Sequence, residues 1–121
     1  MNILIWVLLL AAVAGFFIWK QQSLISPEKA REYLKQGALV IDVRTPGEFQ
    51  ADHLTQAINI PLGDLQDSLP QRVKDKNQVL LLHCLSGGRS EMAKHKLKGM
   101  GYPNSFNLGS LTRARKIVEE K

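Results

Sequence analysis

Apolar residues along this chain fall into one long run and several short ones. Residues 3–19 form the long run, which contains no charged or amide side chain. As a helix it would reach roughly 25 Å at about 1.5 Å per residue, slightly less than the roughly 30 Å hydrocarbon core of a bilayer. Trp6 and Trp19 stand near its ends, where aromatic side chains suit the membrane interfaces. The pattern predicts a membrane anchor at residues 1–20 that contacts the lipid bilayer through residues 3–19.

A cleaved signal peptide is the alternative interpretation of the same run. Such a peptide carries basic residues ahead of its apolar part, and Met1 and Asn2 supply no basic side chain. Residues 12–14 resemble a cleavage site, but the apolar sequence continues through Trp19. We therefore favour a retained anchor. If residues 1–20 are instead a signal, the domain is periplasmic or secreted.

The charges that flank the run indicate its orientation. No cation precedes the run, and several follow it closely, namely Lys20, Lys29, Arg31 and Lys35. Cytoplasmic segments next to a membrane carry an excess of Lys and Arg. We therefore expect a single-pass membrane protein with a cytoplasmic domain. Asn2 and Lys20 can also snorkel at the two ends of the anchor.

Short apolar runs and helix-prone stretches alternate through the rest of the chain. Residues 38–41 and 79–82 lack polar alternation, which is typical of strands covered on both faces, as in a parallel sheet. Weaker strand candidates lie at 57–59 and 105–107, with helix-prone stretches at 47–53, 63–73 and 89–98. The alternation predicts an α/β domain over residues 26–121, with a connector at residues 21–25.

Local signals define the first and last helices of the domain. Ser26, Pro27 and Glu28 provide an N-cap, a proline at the first helical position and an acidic first turn. Gly37 stands where a glycine ends a helix of about three turns. The final residues, 112–121, are basic and then acidic, and they predict a last helix.

Charge and cysteine content exclude several classes of function. The chain of 121 residues has a formal net charge of +5, which could favour an anionic substrate or membrane surface but also fits ordinary solvated surface. Its densest basic stretch, residues 94–98, has no interleaved aromatic residues, so we do not expect nucleic-acid binding. One cysteine excludes an internal disulfide and a multi-cysteine metal site. The three histidines share no metal-ligand spacing, and we expect no metal or cofactor.

The chemistry predicted from the residues centres on Cys84. Residues 82–90 pass from strand to loop to helix, and Gly87 and Gly88 let the backbone N–H groups turn inward as an anion-binding nest. The following helix points its positive end into the same space, and Arg89 adds a permanent cation. A thiolate in such a setting has a lowered pKa. The same loop could hold a persulfide or an oxyanion.

Each member of this group also has a structural interpretation. A single cysteine is often a small buried apolar residue, although its polar neighbours argue against that here. His83 is expected to end the strand rather than to act as a base. Ser86 and Ser90 could cap the helix. Arg89 could pair with a carboxylate, for which Asp42 and Glu91 are candidates.

The sequence resembles the rhodanese family of single-domain sulfurtransferases over residues 26–110. The active loop of that family has cysteine first, glycine fourth and arginine sixth, and residues 84–89 match it, with the usual Ser90 following. An upstream signature is present in the same order, formed by Asp42-Val43-Arg44, Glu48-Phe49, His53-Leu54 and residues 57–61. Two separated motifs in the right order are a specific signal.

The resemblance implies a rhodanese-like fold, an open and mostly parallel sheet with helices on both faces, and a ping-pong sulfur transfer. Cys84 would take the outer sulfur of a donor such as thiosulfate as a persulfide and pass it to a thiol or cyanide. The implied substrate-binding residues are Leu85, Ser86, Gly87, Gly88, Arg89 and Ser90. Asp42, Arg44 and Glu48 would support the loop, and we expect an Arg44–Glu48 ion pair.

Two departures from the family pattern are visible. Asp52 and Gln56 stand where the family usually has glycines, which affects the expected geometry of that turn. The family also commonly carries paired glycines and a tryptophan near its carboxyl end, where residues 108–111 have one glycine and no tryptophan. Substrate access over that rim could therefore differ.

Three other functions compete with sulfur transfer to a small acceptor. Related-looking phosphatases and arsenate reductases have five residues between cysteine and arginine, whereas four separate Cys84 from Arg89. A membrane-tethered persulfide carrier that docks with a protein donor or acceptor would explain the anchor. A regulatory rhodanese-like module usually lacks the cysteine that this chain retains.

Overall fold

Helices and strands alternate along the domain, as the apolar pattern predicts. The computed structural model describes residues 2–120, apart from the side chains of residues 20–22, so the predicted snorkelling of Lys20 lies outside the described residues. The helices are α1 Ile3–Gln22, α2 Pro27–Lys35, α3 Pro46–Ala51, α4 Leu65–Arg72, α5 Gly88–Gly99 and α6 Leu111–Glu119. The strands are β1 Leu39–Asp42, β2 Ile58–Asn59, β3 Leu80–His83 and β4 Ser105–Gly109, and a 3-10 turn covers Leu62–Asp64.

The four strands form one parallel sheet in the order β2-β1-β3-β4. Asp42 at the end of β1 lies opposite His83 at the end of β3. The Cys84 N–H donates to the carbonyl oxygen of Gly109 at the end of β4, at 3.2 Å. Because the carboxyl ends of parallel strands gather at one edge, the residues that follow β1, β3 and β4 meet there.

Separate apolar clusters cover the two faces of the sheet. Leu65 and Leu69 of α4 and Leu97 of α5 pack on one face. Ala30 of α2 and Ile117 of α6 pack on the other. Both faces are therefore buried, which explains why the central strands carry uninterrupted apolar runs. The predicted α/β fold with helices on both faces is confirmed.

Capping residues set the helix starts near the site. The Ser26 hydroxyl accepts a hydrogen bond from the Lys29 N–H at 3.2 Å, and Gly37 has a φ of +98°, as expected for a residue that ends α2. Thr45 and Glu48 form a reciprocal capping box at the start of α3. This box fixes the first turn of α3 and with it the Glu48 carboxylate.

Helix α1 is apolar, and its described side chains from Ile3 to Trp19 are exposed. Within the described part of the chain, no helix is long and apolar enough to cross a membrane. The predicted connector, residues 21–25, is not a separate segment. Helix α1 continues through Gln22. Leu24 forms a β-bridge with Asn107 of β4, and the Ile25 N–H donates to the Asn107 carbonyl at 3.0 Å. Residues 24 and 25 are thus packed against the domain.

Candidate active site

Cys84 lies at the base of the loop that joins β3 to α5. Its side chain is only 1% exposed, and its Sγ atom accepts hydrogen bonds from the Gly87 N–H at 3.0 Å and the Ser90 hydroxyl at 3.5 Å. Leu85, the next residue, is 56% exposed. Ser86 forms a bridge with Ser110, at the start of α6. The loop therefore folds around the sulfur atom and presents an apolar side chain at its rim.

The two adjacent glycines have different conformations. Gly87 has a φ of +102°, in the left-handed region that side chains other than glycine adopt at a cost. Gly88 is the first residue of α5, and a Cβ atom there would meet nothing within 4 Å. The expectation that both glycines supply positive φ is therefore wrong, since the nest depends on Gly87 alone. Helix α5 starts one residue earlier than predicted, with its positive end at Cys84.

Opposing effects act on the Cys84 thiol. Burial by itself raises the pKa of Cys84, but hydrogen bonds from the Ser90 hydroxyl and from the N–H groups of Ser90, Gly87 and Ser86 lower it. The lowering effects prevail, so the pKa lies below its ordinary value. Hydrogen bonds to a charged form favour that form. The loop thus stabilises the thiolate, which is the nucleophilic form of cysteine.

Asn107 of β4, a residue without a role predicted from the sequence, binds the loop through its side chain. Its Oδ1 atom accepts hydrogen bonds from the Ser90 hydroxyl at 2.6 Å and the Gly109 N–H at 2.8 Å. Its Nδ2 atom donates to the Gly87 carbonyl at 3.2 Å and to Glu91 Oε1 at 3.1 Å. Asn107 is buried and its side-chain amide has hydrogen-bond partners at both Oδ1 and Nδ2. It thereby holds Gly87 and Ser90, the two residues that donate hydrogen bonds to the sulfur.

Arg89 binds a carboxylate rather than pointing freely into the loop. Its Nη1 and Nη2 atoms donate to Oε1 and Oε2 of Glu48 at 2.7 and 3.0 Å. This partner is neither Asp42 nor Glu91, the two candidates considered from the sequence. Glu91 instead pairs with Lys94 at 3.0 Å. The hydrogen bond to Glu48 is the largest cause that raises the pKa of Arg89, and negative charge on Cys84 raises it further. Arg89 therefore also interacts favourably with the Cys84 thiolate.

Asp42 and Arg44 form a buried ion pair at the end of β1. Arg44 donates to Oδ1 of Asp42 at 3.0 Å, to Oδ2 at 2.7 Å, and to the Asp52 carbonyl at 2.6 Å. The predicted Arg44–Glu48 ion pair is therefore wrong, because each of these residues binds another partner. Arg44 instead ties β1 to the end of α3, and this contact helps to position Glu48.

The departure from glycine at residue 52 has a simple structural explanation. Asp52 has φ −167° and ψ 132°, an extended backbone that any residue adopts. Among the described residues, no residue other than glycine has a positive φ, so Gln56 is also accommodated without strain. At the other departure, Gly109 has a φ of +94° and a Cβ there would lie 3.2 Å from Arg113 Cδ. A residue other than glycine would thus be strained at position 109 of this rim.

His83 lies away from the reacting sulfur. Its side chain is fully buried, with Nε2 3.8 Å from Asp42 Oδ2, and burial lowers its pKa, which favours the neutral ring. Neither ring nitrogen has a hydrogen-bond partner. Successive strand residues point to opposite faces of the sheet, so His83 and Cys84 diverge. Within residues 2–120 no group of three possible metal ligands comes together.

The loop also borders a groove of about 470 Å³. Phe16 and Trp19 of α1 line one side, and Gly87, Met92 and Arg113 lie on the others. The carboxyl-terminal end of the apolar helix is therefore close to the loop that holds Cys84.

The chain belongs to the rhodanese family. The model of the rhodanese-like domain matches residues 26–112, which include the cysteine loop and the signature after β1. The predicted family membership is therefore confirmed.

Its relatives include proteins named for one reaction. The chain is 41% identical over 71 residues to the thiosulfate sulfurtransferase PspE of Escherichia coli K12, covering 59% of this chain and 68% of the relative. It is 32% identical over 84 residues to the thiosulfate sulfurtransferase GlpE of Pseudomonas entomophila, covering 69% and 75%.

Solved structures show the same fold. A rhodanese from E. coli, solved with anions, aligns with a TM-score of 0.61 at 38% identity and covers 64% of this chain and 91% of its own. The human single-domain sulfurtransferase TSTD1 aligns with a TM-score of 0.63 at 22% identity, covering 82% and 97%. The latter comparison supports the fold alone.

Proposed function

We propose that this protein is a rhodanese-type thiosulfate sulfurtransferase that carries sulfur as a persulfide on Cys84. The observation that carries the proposal is the setting of the Cys84 sulfur, which accepts hydrogen bonds from the Gly87 N–H and the Ser90 hydroxyl. These donors are fixed by the fold before any substrate arrives, as in sites that stabilise developing negative charge. Two relatives named thiosulfate sulfurtransferases support the choice of donor.

The reaction has two steps with a covalent intermediate. In the first, the Cys84 thiolate attacks the outer sulfur of thiosulfate, a new S–S bond forms, and the S–S bond of thiosulfate breaks with its electron pair leaving on sulfite. In the second, a thiolate or cyanide attacks the outer sulfur of the persulfide, and Cys84 leaves as the thiolate. Dividing the transfer in this way replaces one difficult step by two easier ones.

Intact mass spectrometry of the full chain tests this proposal. Incubation with thiosulfate should add the mass of one sulfur atom to the protein and release sulfite in equal amount. Cyanide should then remove the added mass and produce thiocyanate. Cys84→Ala should show neither change. A folded sample with reduced Cys84 that gains no sulfur from thiosulfate would contradict the proposal.

A phosphatase is less well supported by the site. Four residues separate Cys84 from Arg89, and the Arg89 guanidinium is bound by Glu48. The donors that remain for a sulfur anion are the loop N–H groups and the Ser90 hydroxyl. Rapid hydrolysis of an aryl phosphate by the protein, lost in Cys84→Ala, would favour the phosphatase instead.

We also propose that α1 attaches the domain to a membrane, with the domain on the cytoplasmic side. The support is the exposure of its described apolar side chains and the cations that follow it in sequence. Leu9→Lys should move the protein from the membrane fraction to the soluble fraction, because a lysine at the centre of the apolar run costs about 2.5–3.5 kcal/mol. Membrane retention of Leu9→Lys would contradict attachment through α1.

The single cysteine provides a test of orientation. A membrane-impermeant maleimide should label Cys84 only after the cells are permeabilised. Labelling in intact cells would place the domain outside the cytoplasm, and a mature chain that lacks residues 1–20 would identify a signal peptide.

A tethered domain could exchange sulfur with a protein partner. A persulfidated protein donor that loads Cys84 faster than thiosulfate does would favour a carrier role. Equal or slower loading would favour the small-molecule reaction.

A further inference from the structure

Glu48 is held rigidly beside the active loop. Its Oε1 atom accepts hydrogen bonds from the Thr45 N–H and the Thr45 hydroxyl, both at 3.1 Å, in addition to the Arg89 guanidinium. Its Oε2 atom accepts the second Arg89 hydrogen bond at 3.0 Å. The carboxylate therefore forms a two-pronged ion pair with Arg89 while the capping box fixes the glutamate backbone and side chain together.

The Glu48 carboxylate neutralises the positive charge that Arg89 brings to the loop. Arg89 and Glu48 are both about one-third exposed, so a donor approaching Cys84 meets the pair rather than a free guanidinium. The other guanidinium groups close to the site are also engaged. Arg44 is paired with Asp42, and Arg113 donates to the carbonyl oxygens of residues 108 and 25 at 2.6 Å. The guanidinium groups of Arg89 and Arg44 are thus neutralised by carboxylates, whereas Arg113 keeps its charge because carbonyl oxygens are neutral acceptors.

We propose that Glu48 determines the charge class of the sulfur donor. By neutralising Arg89 it lowers the affinity of the loop for donors with two negative charges, such as thiosulfate, relative to donors with one or none, such as thiosulfonates and persulfides. This inference rests on the proposed sulfurtransferase function and names the preferred donors of the same site. The exposed apolar side chain of Leu85 at the rim is consistent with a donor that carries an organic group.

Thiosulfate and methanethiosulfonate provide a matched pair of donors. In both reactions the Cys84 thiolate bonds to the outer sulfur and the existing S–S bond breaks. The electron pair leaves on sulfite in one case and on methanesulfinate in the other, and the products balance without any further reactant. The two donors differ by one negative charge, and kcat/KM for each reports only the first half of a ping-pong reaction.

Glu48→Gln is the informative variant. Glutamine can keep the capping box with Thr45, but its amide nitrogen replaces one of the two oxygens that bind Arg89. We expect the ratio of kcat/KM for thiosulfate to that for methanethiosulfonate to rise about two- to fivefold, the range expected for a partly exposed charge. Arg89→Gln leaves Glu48 unpaired and should lower the ratio. The double variant removes both charges of the pair and should return the ratio close to that of the wild type.

A second measurement does not depend on sulfur transfer. Iodoacetate and iodoacetamide alkylate the same Cys84 thiolate but differ by one negative charge. Their rate ratio should rise in Glu48→Gln, fall in Arg89→Gln and return in the double variant. If thiosulfate fails to load the wild type, the proposed function fails, while the alkylation series still tests the effect of Glu48.

The two charged partners also predict how the preference behaves with pH. Arg89 is the largest cause that lowers the pKa of Glu48, to about 2, so the carboxylate remains charged well below neutrality. The Arg89 and Arg44 guanidinium groups that face it stay charged as well. The contribution of this ion pair to the donor ratio should therefore be constant between about pH 5.5 and 8.5. Equal changes for both donors and both alkylating reagents in Glu48→Gln, or a double variant that differs strongly from the wild type, would overturn the inference.

Discussion

Gly87 and Gly88 are adjacent glycines for which the structure predicts opposite effects of substitution by alanine. At Gly87 the φ of +102° places an alanine in the left-handed region, which costs about 1–2 kcal/mol. The added Cβ would lie 3.5 Å from Gly109 Cα, which is ordinary contact and adds no severe clash. At Gly88 the backbone is already helical and the space is open, so alanine should be neutral or stabilise by up to about 1 kcal/mol.

Equilibrium urea unfolding of the full chain measures this difference. Gly87→Ala should lower the midpoint by roughly 0.3–2 M, given the usual dependence of about 1–3 kcal/mol per M. Gly88→Ala should leave the midpoint unchanged or raise it. The pH dependence of iodoacetamide reaction should also show a raised pKa for Cys84 in Gly87→Ala, because a strained loop moves the Gly87 N–H away from the sulfur.

The comparison of the two variants tests whether the loop requires a positive φ at Gly87. Equal losses of stability in Gly87→Ala and Gly88→Ala would show that a positive φ at Gly87 is not what the loop requires. A stable Gly87→Ala protein with an unchanged thiol pKa would refute the account of the anion-binding nest.

Two further substitutions distinguish effects on the pKa of Cys84 from effects on the stability of the core. Ser90→Ala should raise the pKa of Cys84, because the thiolate loses the hydrogen bond from this hydroxyl, whose proton is shared among three acceptors. An unchanged pH profile of alkylation would contradict this expectation. Tyr102→Phe should destabilise the fold by about 1–2 kcal/mol in urea, because the buried Val73 carbonyl loses its 2.7 Å hydrogen bond. A shifted thiol pKa in that variant would contradict a purely structural role.

The strands could be predicted because their physical cause is local. Residues 38–41 and 79–82 are buried or partly buried and pack on both faces of the sheet, so their apolar character is continuous and visible in the sequence. The cysteine loop could be predicted for a similar reason, since glycine, polar residues and a helix start follow one another directly. Glycine content alone could not show which of two neighbouring glycines has the positive φ.

Ion pairs across the fold could not be predicted in the same way. Glu48 and Arg89 are 41 positions apart and meet because the starts of α3 and α5 follow β1 and β3, whose carboxyl ends lie at the same edge of the sheet. The four-residue spacing of Arg44 and Glu48 pointed to a helical pair, but Arg44 precedes α3 and turns back to Asp42. Asn107 offered one usable signal, because asparagine is disfavoured in strands and is retained there when its amide has partners.

Asn107 has a consequence for where the chain can be shortened or extended. Its carbonyl accepts the Ile25 N–H directly after α1, while its side chain holds the Gly87 carbonyl and the Ser90 hydroxyl. One residue therefore fastens the apolar helix and the reacting sulfur to the same strand. The distance between the Cys84 thiol and α1 is therefore short and fixed, whereas a flexible linker would let it vary. A cut placed after Ile25 would disturb the loop itself, whereas a cut before Leu24 would leave that fastening whole.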